Sequence, residues 1–298
     1  MTRSAARLVL VLTLVAVTAP LLAPYDQGLA FRDYLHAPPM RPGLSGAHPL
    51  VLVDRLEQRY EPDASRVVPL PWFATKDDAP VFLLGSDNFG RDVMSRLLYG
   101  ARTSIGLALV ATLGAVVIGA LAGTLAGYRG GWIDEAVMRV ADFILVLPAI
   151  YVVLVLRAVL PLVLPPATVF LLISIIFVAV GWPFVARGVR AIVAVERDRE
   201  YVLAARSLGA SHARVMVKHL IPACGGYLIV QATLLLPAFI LGEATLSFVG
   251  LGFQDTVASW GTMLVESSNI MQAVRFPWTL APAVAIFAVV LSTNLMTS

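Results

Sequence analysis

Residues 200–222 read EYVLAARSLGASHARVMVKHLIP and lie between two strongly apolar segments. The stretch is charged and rich in helix-forming residues. Glu200 suits the positive end of a helix dipole, Gly209 can end that helix in a left-handed conformation, and Ser211 can cap a second helix. The stretch therefore predicts two short helices with a bend at Gly209.

One face of the first predicted helix suits contact with another protein. Ala204 and Ala205 keep the helix slim, so that a partner can approach its backbone, while Tyr201 and Leu208 supply apolar anchors. A plain amphipathic connector would not need the alanine pair, the glycine and the final Ile-Pro together. We therefore interpret the loop, residues 190–222, as a docking element. Its predicted contact residues are Glu200, Tyr201, Ala204, Ala205, Arg206, Leu208, Gly209 and Ala210.

The composition excludes a soluble globular protein. Of the 298 residues, 58% are hydrophobic and 14% are charged, whereas charged residues make up about a quarter of a typical soluble chain. The net charge of +3 does not indicate a nucleic-acid partner, because the arginines cluster in loops between apolar segments. The chain is predicted to be an all-α integral membrane protein.

Six apolar segments approach the length that a membrane crossing requires. They are Leu8–Ala23, Ser104–Ala126, Val140–Leu160, Ala167–Val189, Leu220–Phe248 and Phe276–Met296. The first is interpreted as an uncleaved signal anchor, since no small-x-small cleavage site precedes Pro24. Arginine is concentrated in the second and fourth connections and absent from the third. This bias predicts that the N-terminus, these two connections and the C-terminus are cytoplasmic.

The predicted spans divide the chain into three parts: residues 1–24 with the first span, residues 25–103 as a long extracytoplasmic loop, and residues 104–298 as the core with five spans. The long loop is rich in proline, which favours extended segments and turns over a compact domain. Val51–Tyr60 suits either a short strand or a helix.

The end of the long loop predicts an amphipathic helix. Asp87 or Asn88 is its expected cap, and Val93 shares a face with Leu97 and Leu98. The polar residues off that face are Arg91, Asp92 and Arg96. The pattern fits a helix along the outer membrane surface and an ordinary surface helix equally well.

Several features within the spans bear on packing and charge. Gly119, Gly123 and Gly127 form a small-residue face for close helix packing. Pro148, Pro183, Pro237 and Pro282 permit kinks. Arg139 is expected to pair with Asp142 on one helix face. Structural roles are preferred for these two and for Arg157 and Glu243, although Glu243 is also a candidate for the translocation path.

The sequence contains no recognisable catalytic or metal-binding motif. Neither of its two lysines, Lys76 and Lys218, follows a glycine, so there is no phosphate-binding GxxxxGK[ST] loop. His212 and His219 share a helix face but lack carboxylate support for a metal. The single cysteine, Cys224, is interpreted as a small packing residue.

The docking loop resembles the cytoplasmic loop of ABC importer permeases, which reads Glu-Ala-Ala, three residues, Gly, nine residues, Ile-x-Leu-Pro. Ala204, Ala205, Gly209 and Pro222 are in register, with Ile221 where leucine is usual. Leu203 replaces the glutamate and His219 the isoleucine. Four further segments resemble the dipeptide/oligopeptide/nickel subfamily in the same order, especially its second, C-type permease subunit. They are Gly85–Ser104, Ala126–Asp142, Glu243–Gln254 and Ser259–Leu264.

The resemblance implies a type I ABC importer permease fold with a cytoplasmic coupling helix, in a bacterial inner membrane. It implies a second related permease chain, two ABC ATPase subunits that bind ATP and magnesium, and an extracytoplasmic solute-binding protein that delivers di- or oligopeptides. This chain would bind no cofactor or metal and catalyse no reaction. The alternatives are a permease for nickel or another small solute, a secondary carrier or channel, and a membrane-anchored structural protein.

Overall fold

The computed structural model describes residues 14, 17–43, 46–72, 79–159, 161 and 164–297, without the side chains of residues 149, 150, 156, 157 and 294–297. Half of the first predicted span, Lys76 and the side chain of Arg157 lie outside this description. The chain divides into two compact units. One contains Leu107–Glu243 with the end of the chain from Val289, and the other contains the described residues of Val11–Gly106 and Ala244–Ala288.

Helices dominate the described chain. In chain order they are α1 (Val93–Arg129), α2 (Gly131–Val146), α3 (Ala149–Val159), α4 (Pro166–Glu196), α5 (Glu200–Ser207), α6 (His212–Val215), α7 (Ile221–Ala223), α8 (Gly225–Phe248), α9 (Trp260–Leu264), α10 (Ile270–Arg275) and α11 (Ala281–Thr297). A π-helix covers Met216–Leu220, and 3-10 helices cover Glu266–Ser268 and Pro277–Leu280.

Three of these helices, α1, α4 and α8, are long and apolar enough to cross a membrane, among the residues that the structure describes. They contain most of the second, fourth and fifth predicted spans. The shorter apolar segment Pro277–Thr293 lies within the sixth. The count of six spans stays a prediction.

The third predicted span, Val140–Leu160, is wrong as a single helix. Helix α2 begins at Gly131 and ends at Val146, Leu147 is extended with ψ 133°, and α3 begins only at Ala149. The break follows from Pro148, because proline disfavours the helical conformation in the residue before it. Pro183, by contrast, lies inside the continuous helix α4.

The fifth predicted span also begins later than expected. The backbone N–H of Ile221 donates to the carbonyl of Met216, five residues earlier, which defines the π-helix. Pro222 follows directly and has no N–H to donate to the preceding turn, so the wider turn lies where the proline interrupts the α-helical pattern. Cys224 is buried at the bend before α8.

The proline-rich segment, residues 25–103, contains a small hydrophobic core. The prediction that it favours extended segments and turns over a compact domain is therefore wrong. Strands β1 (Leu50–Asp54) and β2 (Arg59–Pro62) form an antiparallel hairpin. Of the two alternatives for Val51–Tyr60, a strand or a helix, the structure therefore has strand. The buried residues of the core are Ala37, Met40, Ala47, Leu50, Val81 and Phe82. Partly buried aromatic side chains of the same segment pack against this core. Phe31, for example, packs edge-on against Phe82 with ring centroids 5.6 Å apart.

No break separates the predicted amphipathic helix from the span that follows, because α1 runs without interruption from Val93 to Arg129. The sequence between them contains Gly100 but no proline, and a single glycine does not end a helix. The expected polar face is also wrong, since Asp92 and Arg96 are each only 2% exposed.

A buried ion network explains this burial. Asp87 accepts from Arg91 Nε at 2.6 Å, and Asp255, far along the chain, accepts from Arg91 at 2.9 Å and from Arg96 at 3.3 Å. Asp87 also accepts from the backbone N–H groups of Phe89 and Arg91. The guanidinium groups are therefore paired, as buried charges must be.

Asp92, not Asp87 or Asn88, caps α1. Its Oδ2 accepts from the Ser95 backbone N–H at 2.7 Å and from the Ser95 hydroxyl at 2.6 Å, while its Oδ1 is buried without a hydrogen-bond partner. Burial raises the pKa of Asp92 to about 6, although the hydrogen bonds from Ser95 and the Met94 backbone oppose that rise.

Asp92→Asn should remove part of the pH dependence of stability. A carboxyl group with a raised folded-state pKa stabilises the fold at low pH, and that contribution is lost as the pH rises through about 6. Between pH 5 and pH 7.5 the wild type should lose about 1 kcal/mol that the variant does not lose. Thermal unfolding of both proteins in detergent at the two pH values measures the difference. Equal pH dependence in both proteins would contradict the assignment.

Candidate functional site

The loop 190–222 folds into the helix–turn–helix that the sequence predicts. Helix α5 begins at Glu200, and Gly209 follows its end with a φ of +83°. The Gly209 N–H donates to Arg206 O at 2.9 Å and the Ala210 N–H donates to Ala205 O at 3.0 Å. Both bonds satisfy carbonyls at the end of the helix. The predicted left-handed glycine is confirmed.

The predicted cap of the second helix is also confirmed. Ser211 Oγ accepts from the Arg214 backbone N–H at 3.3 Å, immediately before α6. A Cβ atom at Gly209 would meet no atom within 4 Å, so glycine is needed there for its backbone conformation. The bend presents α5 as a short separate element.

Large apolar side chains on this element are exposed. Leu208 at the bend is 88% exposed, Leu203 is 46% exposed and Tyr201 is 44% exposed, whereas Val202 is completely buried. Ala204 is exposed between them. The side chain of Val202 thus attaches α5 to its own unit, while Tyr201, Ala204 and Leu208, at i, i+3, i+7 spacing, share an exposed apolar face. Leu203 is exposed on the other side of the helix.

The polar residues of the loop surround this face. Glu200 and Arg206 are exposed, and Ala205 and Ala210 are half-buried. Tyr201 donates its hydroxyl hydrogen to Glu196 Oε2 at 2.7 Å, which fixes the ring at the start of α5. Partial burial, with a smaller contribution from this hydrogen bond, raises the pKa of Tyr201. An apolar face with a polar rim is the usual composition of a protein-binding surface.

The three predicted packing glycines all face α4. A Cβ atom at Gly119 would lie 2.8 Å from Trp182 O, one at Gly123 would lie 2.9 Å from Val189 Cβ, and one at Gly127 would lie 2.6 Å from Arg190 O. Real Cβ atoms do not approach other heavy atoms so closely. The backbone of α1 therefore approaches α4 at a distance that only glycine permits.

Other predicted interactions are formed differently. Arg139 pairs with Glu135 at 3.2 Å and Asp142 pairs with Arg187, so the expected Arg139–Asp142 pair is wrong. Spacing alone did not reveal that α4 supplies the partner of Asp142. Arg190 donates to Asp134 at 2.9 Å, and this hydrogen bond lowers the pKa of Asp134.

The two histidines of the loop and Glu243 all make contacts within the chain. His212 Nδ1 hydrogen-bonds the Tyr128 hydroxyl at 2.7 Å, and the ring of His219 lies 6.2 Å from the Tyr201 ring centroid. Glu243 is completely buried. A side chain that lines a path shared with a second chain would be exposed in the isolated chain, so its burial favours the structural role.

Comparison with known proteins identifies the family. Residues 115–298 match the family described as the binding-protein-dependent transport system inner membrane component. The chain belongs to this family. The permease is 38% identical over 213 residues to the dipeptide transport system permease protein DppC of Alkalihalophilus pseudofirmus, a match that covers 71% of this chain and 67% of that protein.

Two further relatives align over more of the chain. The di/tripeptide transport system permease protein DppC of Pseudomonas aeruginosa is 34% identical over 288 residues, covering 96% of the permease and 82% of the relative. The nickel transport system permease protein NikC of Escherichia coli K12 is 34% identical over 249 residues, covering 83% and 86%.

A solved structure supports the fold. A chain from the inward-facing structure of the MetNI methionine ABC transporter superimposes with a TM-score of 0.50 at 19% identity, covering 68% of the permease and 95% of that chain. At this identity the likeness concerns the fold alone. It agrees with the type I ABC importer permease fold that the family resemblance implies.

The sequence left three residues of this site unassigned. Leu203 was noted only as a departure from the glutamate of the family pattern, yet its side chain is 46% exposed. Tyr128 and Arg197 form hydrogen bonds with His212 and Gly127, residues that no local spacing relates to them.

Gly123→Ala should destabilise the permease, because the new methyl group would meet α4 inside van der Waals distance. Overpacking of this kind costs about 1–3 kcal/mol. Gly106→Ala, in the same helix, is the matched control, since a Cβ atom there meets nothing within 4 Å and alanine favours the helix by about 0.5–1 kcal/mol. Thermal unfolding in detergent compares them. A Gly123→Ala protein as stable as the control would rule out the close contact.

Proposed function

We propose that this permease is the membrane subunit of an ATP-driven ABC importer and forms half of a translocation path for di- or oligopeptides. The relatives named for dipeptide and di/tripeptide transport support the cargo. The peptides would be delivered by an extracytoplasmic solute-binding protein, in keeping with the family's binding-protein-dependent transport. The N-terminus and the loop 190–222 would be cytoplasmic, as the arginine bias indicates.

The observation that carries the proposal is the exposed apolar face of α5. Tyr201 and Leu208 are 44% and 88% exposed on the same side of this short helix, and apolar side chains exposed together mark a site of interaction with another protein. A short helix with a slim alanine side and protruding apolar anchors suits a groove on a partner. The partner would be an ABC ATPase subunit, with the contact residues Glu200, Tyr201, Ala204, Ala205, Arg206, Leu208, Gly209 and Ala210.

In this mechanism the chain's own residues bind the ATPase subunit, orient α5 and transmit its movement to the membrane helices. When ATP and magnesium close the paired ATPase subunits, α5 moves with the groove that holds it. The tight contact between α1 and α4 lets these helices move as one body. The bundle, completed by a second related permease chain, then opens outward to accept peptide, and hydrolysis resets it. Coupling requires that the partner hold α5 differently in the two states.

The cargo has one alternative with direct support. The nickel permease relative covers 83% of the chain, between the 71% and 96% covered by the two peptide permeases. In the described part of the chain no group of three or more histidine, cysteine, aspartate or glutamate side chains is placed to hold a metal ion. A chelated metal would not need such a group, so transport itself must decide.

Uptake into proteoliposomes that contain the purified assembly and its binding protein distinguishes the two cargoes. Labelled dipeptide should accumulate in an ATP-dependent manner, and an excess of unlabelled dipeptide should abolish that uptake. Accumulation of labelled nickel with no competition by dipeptide would contradict the peptide assignment and support the alternative.

Leu208→Glu should weaken binding of the ATPase at least tenfold, because a buried apolar anchor typically contributes about 1.4 kcal/mol or more. The folded state should be unaffected, since Leu208 is exposed. Leu56→Glu is the matched control, because Leu56 is 93% exposed on the outward hairpin turn. Co-purification of ATPase with each variant is measured. Full recovery of ATPase with Leu208→Glu would exclude α5 as the docking helix.

A further inference from the structure

The chain on both sides of α5 attaches to the last turn of α1. Before α5, the Arg197 guanidinium donates from Nη1 to Gly127 O at 3.0 Å. After α5, His212 Nδ1 hydrogen-bonds the Tyr128 hydroxyl at 2.7 Å. The two groups on α1 belong to adjacent residues, although the residues that bond to them lie on either side of the exposed helix.

The attachment at Gly127 has a clear physical basis. The last carbonyls of a helix have no partner within it, and Gly127 lies in the final turn of α1. A guanidinium donor there satisfies one carbonyl and complements the negative end of the helix dipole. The hydrogen bond is charge-assisted and therefore stronger than a neutral one.

The attachment at Tyr128 is similarly well formed. Tyr128 is 9% exposed, so packing holds its ring, and its ring centroid lies 5.6 Å from that of His212 in an edge-on contact. The hydroxyl donates to the imidazole in one tautomer and accepts from it in the other. His212 is the first residue of α6, so this contact fixes the start of the second helix.

The last turn of α1 is in turn fixed to α4. A Cβ atom at Gly127 would lie 2.6 Å from Arg190 O and 3.0 Å from Val193 Cβ, so the two backbones are in close contact at this level. Movement of α5 must therefore either carry the ends of α1 and α4 with it or break both hydrogen bonds.

We propose that Tyr128, Arg197 and His212 are positioning residues that bracket the docking helix and transmit its movement to α1. The bracket deepens the proposed function, on which its role in transport rests. On the far side of α6 the chain continues into the π-helix Met216–Leu220. The bracket is therefore a direct connection from the docking helix to α1, separate from the covalent path through this π-helix.

Hydrogen–deuterium exchange of the permease in detergent tests the bracket without any partner. Tyr128→Phe removes one hydroxyl and should accelerate exchange of the amides of residues 200–211 about fivefold, the effect of one typical hydrogen bond. Tyr227→Phe is the matched control. It also removes one hydroxyl, which donates to Phe184 O at 3.0 Å, and it should leave exchange of residues 200–211 unchanged.

A second pair of variants separates the effect of the hydrogen bond from the effect of side-chain size. His212→Gln retains a group that can hydrogen-bond Tyr128 and should restore most of the protection, whereas His212→Leu should match Tyr128→Phe. Unchanged exchange in both Tyr128→Phe and His212→Leu would overturn the bracket.

In the assembled importer, Tyr128→Phe should keep bound ATPase and its basal turnover but transport less peptide for each ATP hydrolysed. A wild-type ratio in this variant would overturn the transmitting role. Failure of the wild-type chain to bind any ATPase would instead refute the proposed function, and the exchange measurement would still decide whether the bracket exists.

Discussion

The close approach of α1 to α4 is the constraint on which the proposed coupling mechanism depends. Gly119, Gly123 and Gly127 recur at every fourth residue and remove all side-chain bulk from one face of α1. In a lipid environment, where apolar side chains gain nothing by leaving the solvent, close packing of backbones is a main source of helix association. A pair of helices joined in this way moves as one element.

In the proposed mechanism, the docking loop depends on this rigidity. A helix on a flexible connection would follow its partner without moving anything else. Here the glycine bend exposes α5, while Arg197 and His212 attach the chain on both sides to the final turn of α1. The residues proposed to bind the partner therefore differ from those proposed to transmit its movement. For this reason we expect Leu208 to tolerate substitution without loss of the fold.

The unit that contains the hairpin β1–β2 depends on a different interaction. Arg91 and Arg96 are buried beside Asp87 and Asp255, and a buried charge without a partner would cost several kcal/mol. The network joins the start of α1 to the segment after α8 and fixes their register within the unit. Asp92, next to this network in sequence, is bonded to Ser95 instead, and burial raises its pKa to about 6. Its protonation is therefore coupled to stability.

Local sequence patterns predicted local structure well. They did not predict which residues distant in sequence contact each other. The left-handed Gly209, the Ser211 cap and the glycine face were readable because each depends on residues within one or two turns. The sequence predicted only a kink at Pro148, because it does not show how far the backbone departs from helical geometry there. The burial of Arg96 and the pairing of Asp142 with Arg187 depend on residues distant in sequence, and amphipathic spacing gave the wrong face for Arg96. The small core around Phe82 was hidden by the high proline content.

The measurement that tests the account most directly is site-specific cross-linking from the bend in the assembled complex. Leu208→Cys in a Cys224→Ser background places one thiol at the exposed tip, and a bifunctional maleimide–photoreactive reagent reports what lies beside it. The account predicts a cross-link to the ATPase subunit that is lost when the ATPase is removed. A thiol that reacts fully with the reagent but forms no cross-link to a bound ATPase would contradict the claim that this loop couples ATP hydrolysis to transport.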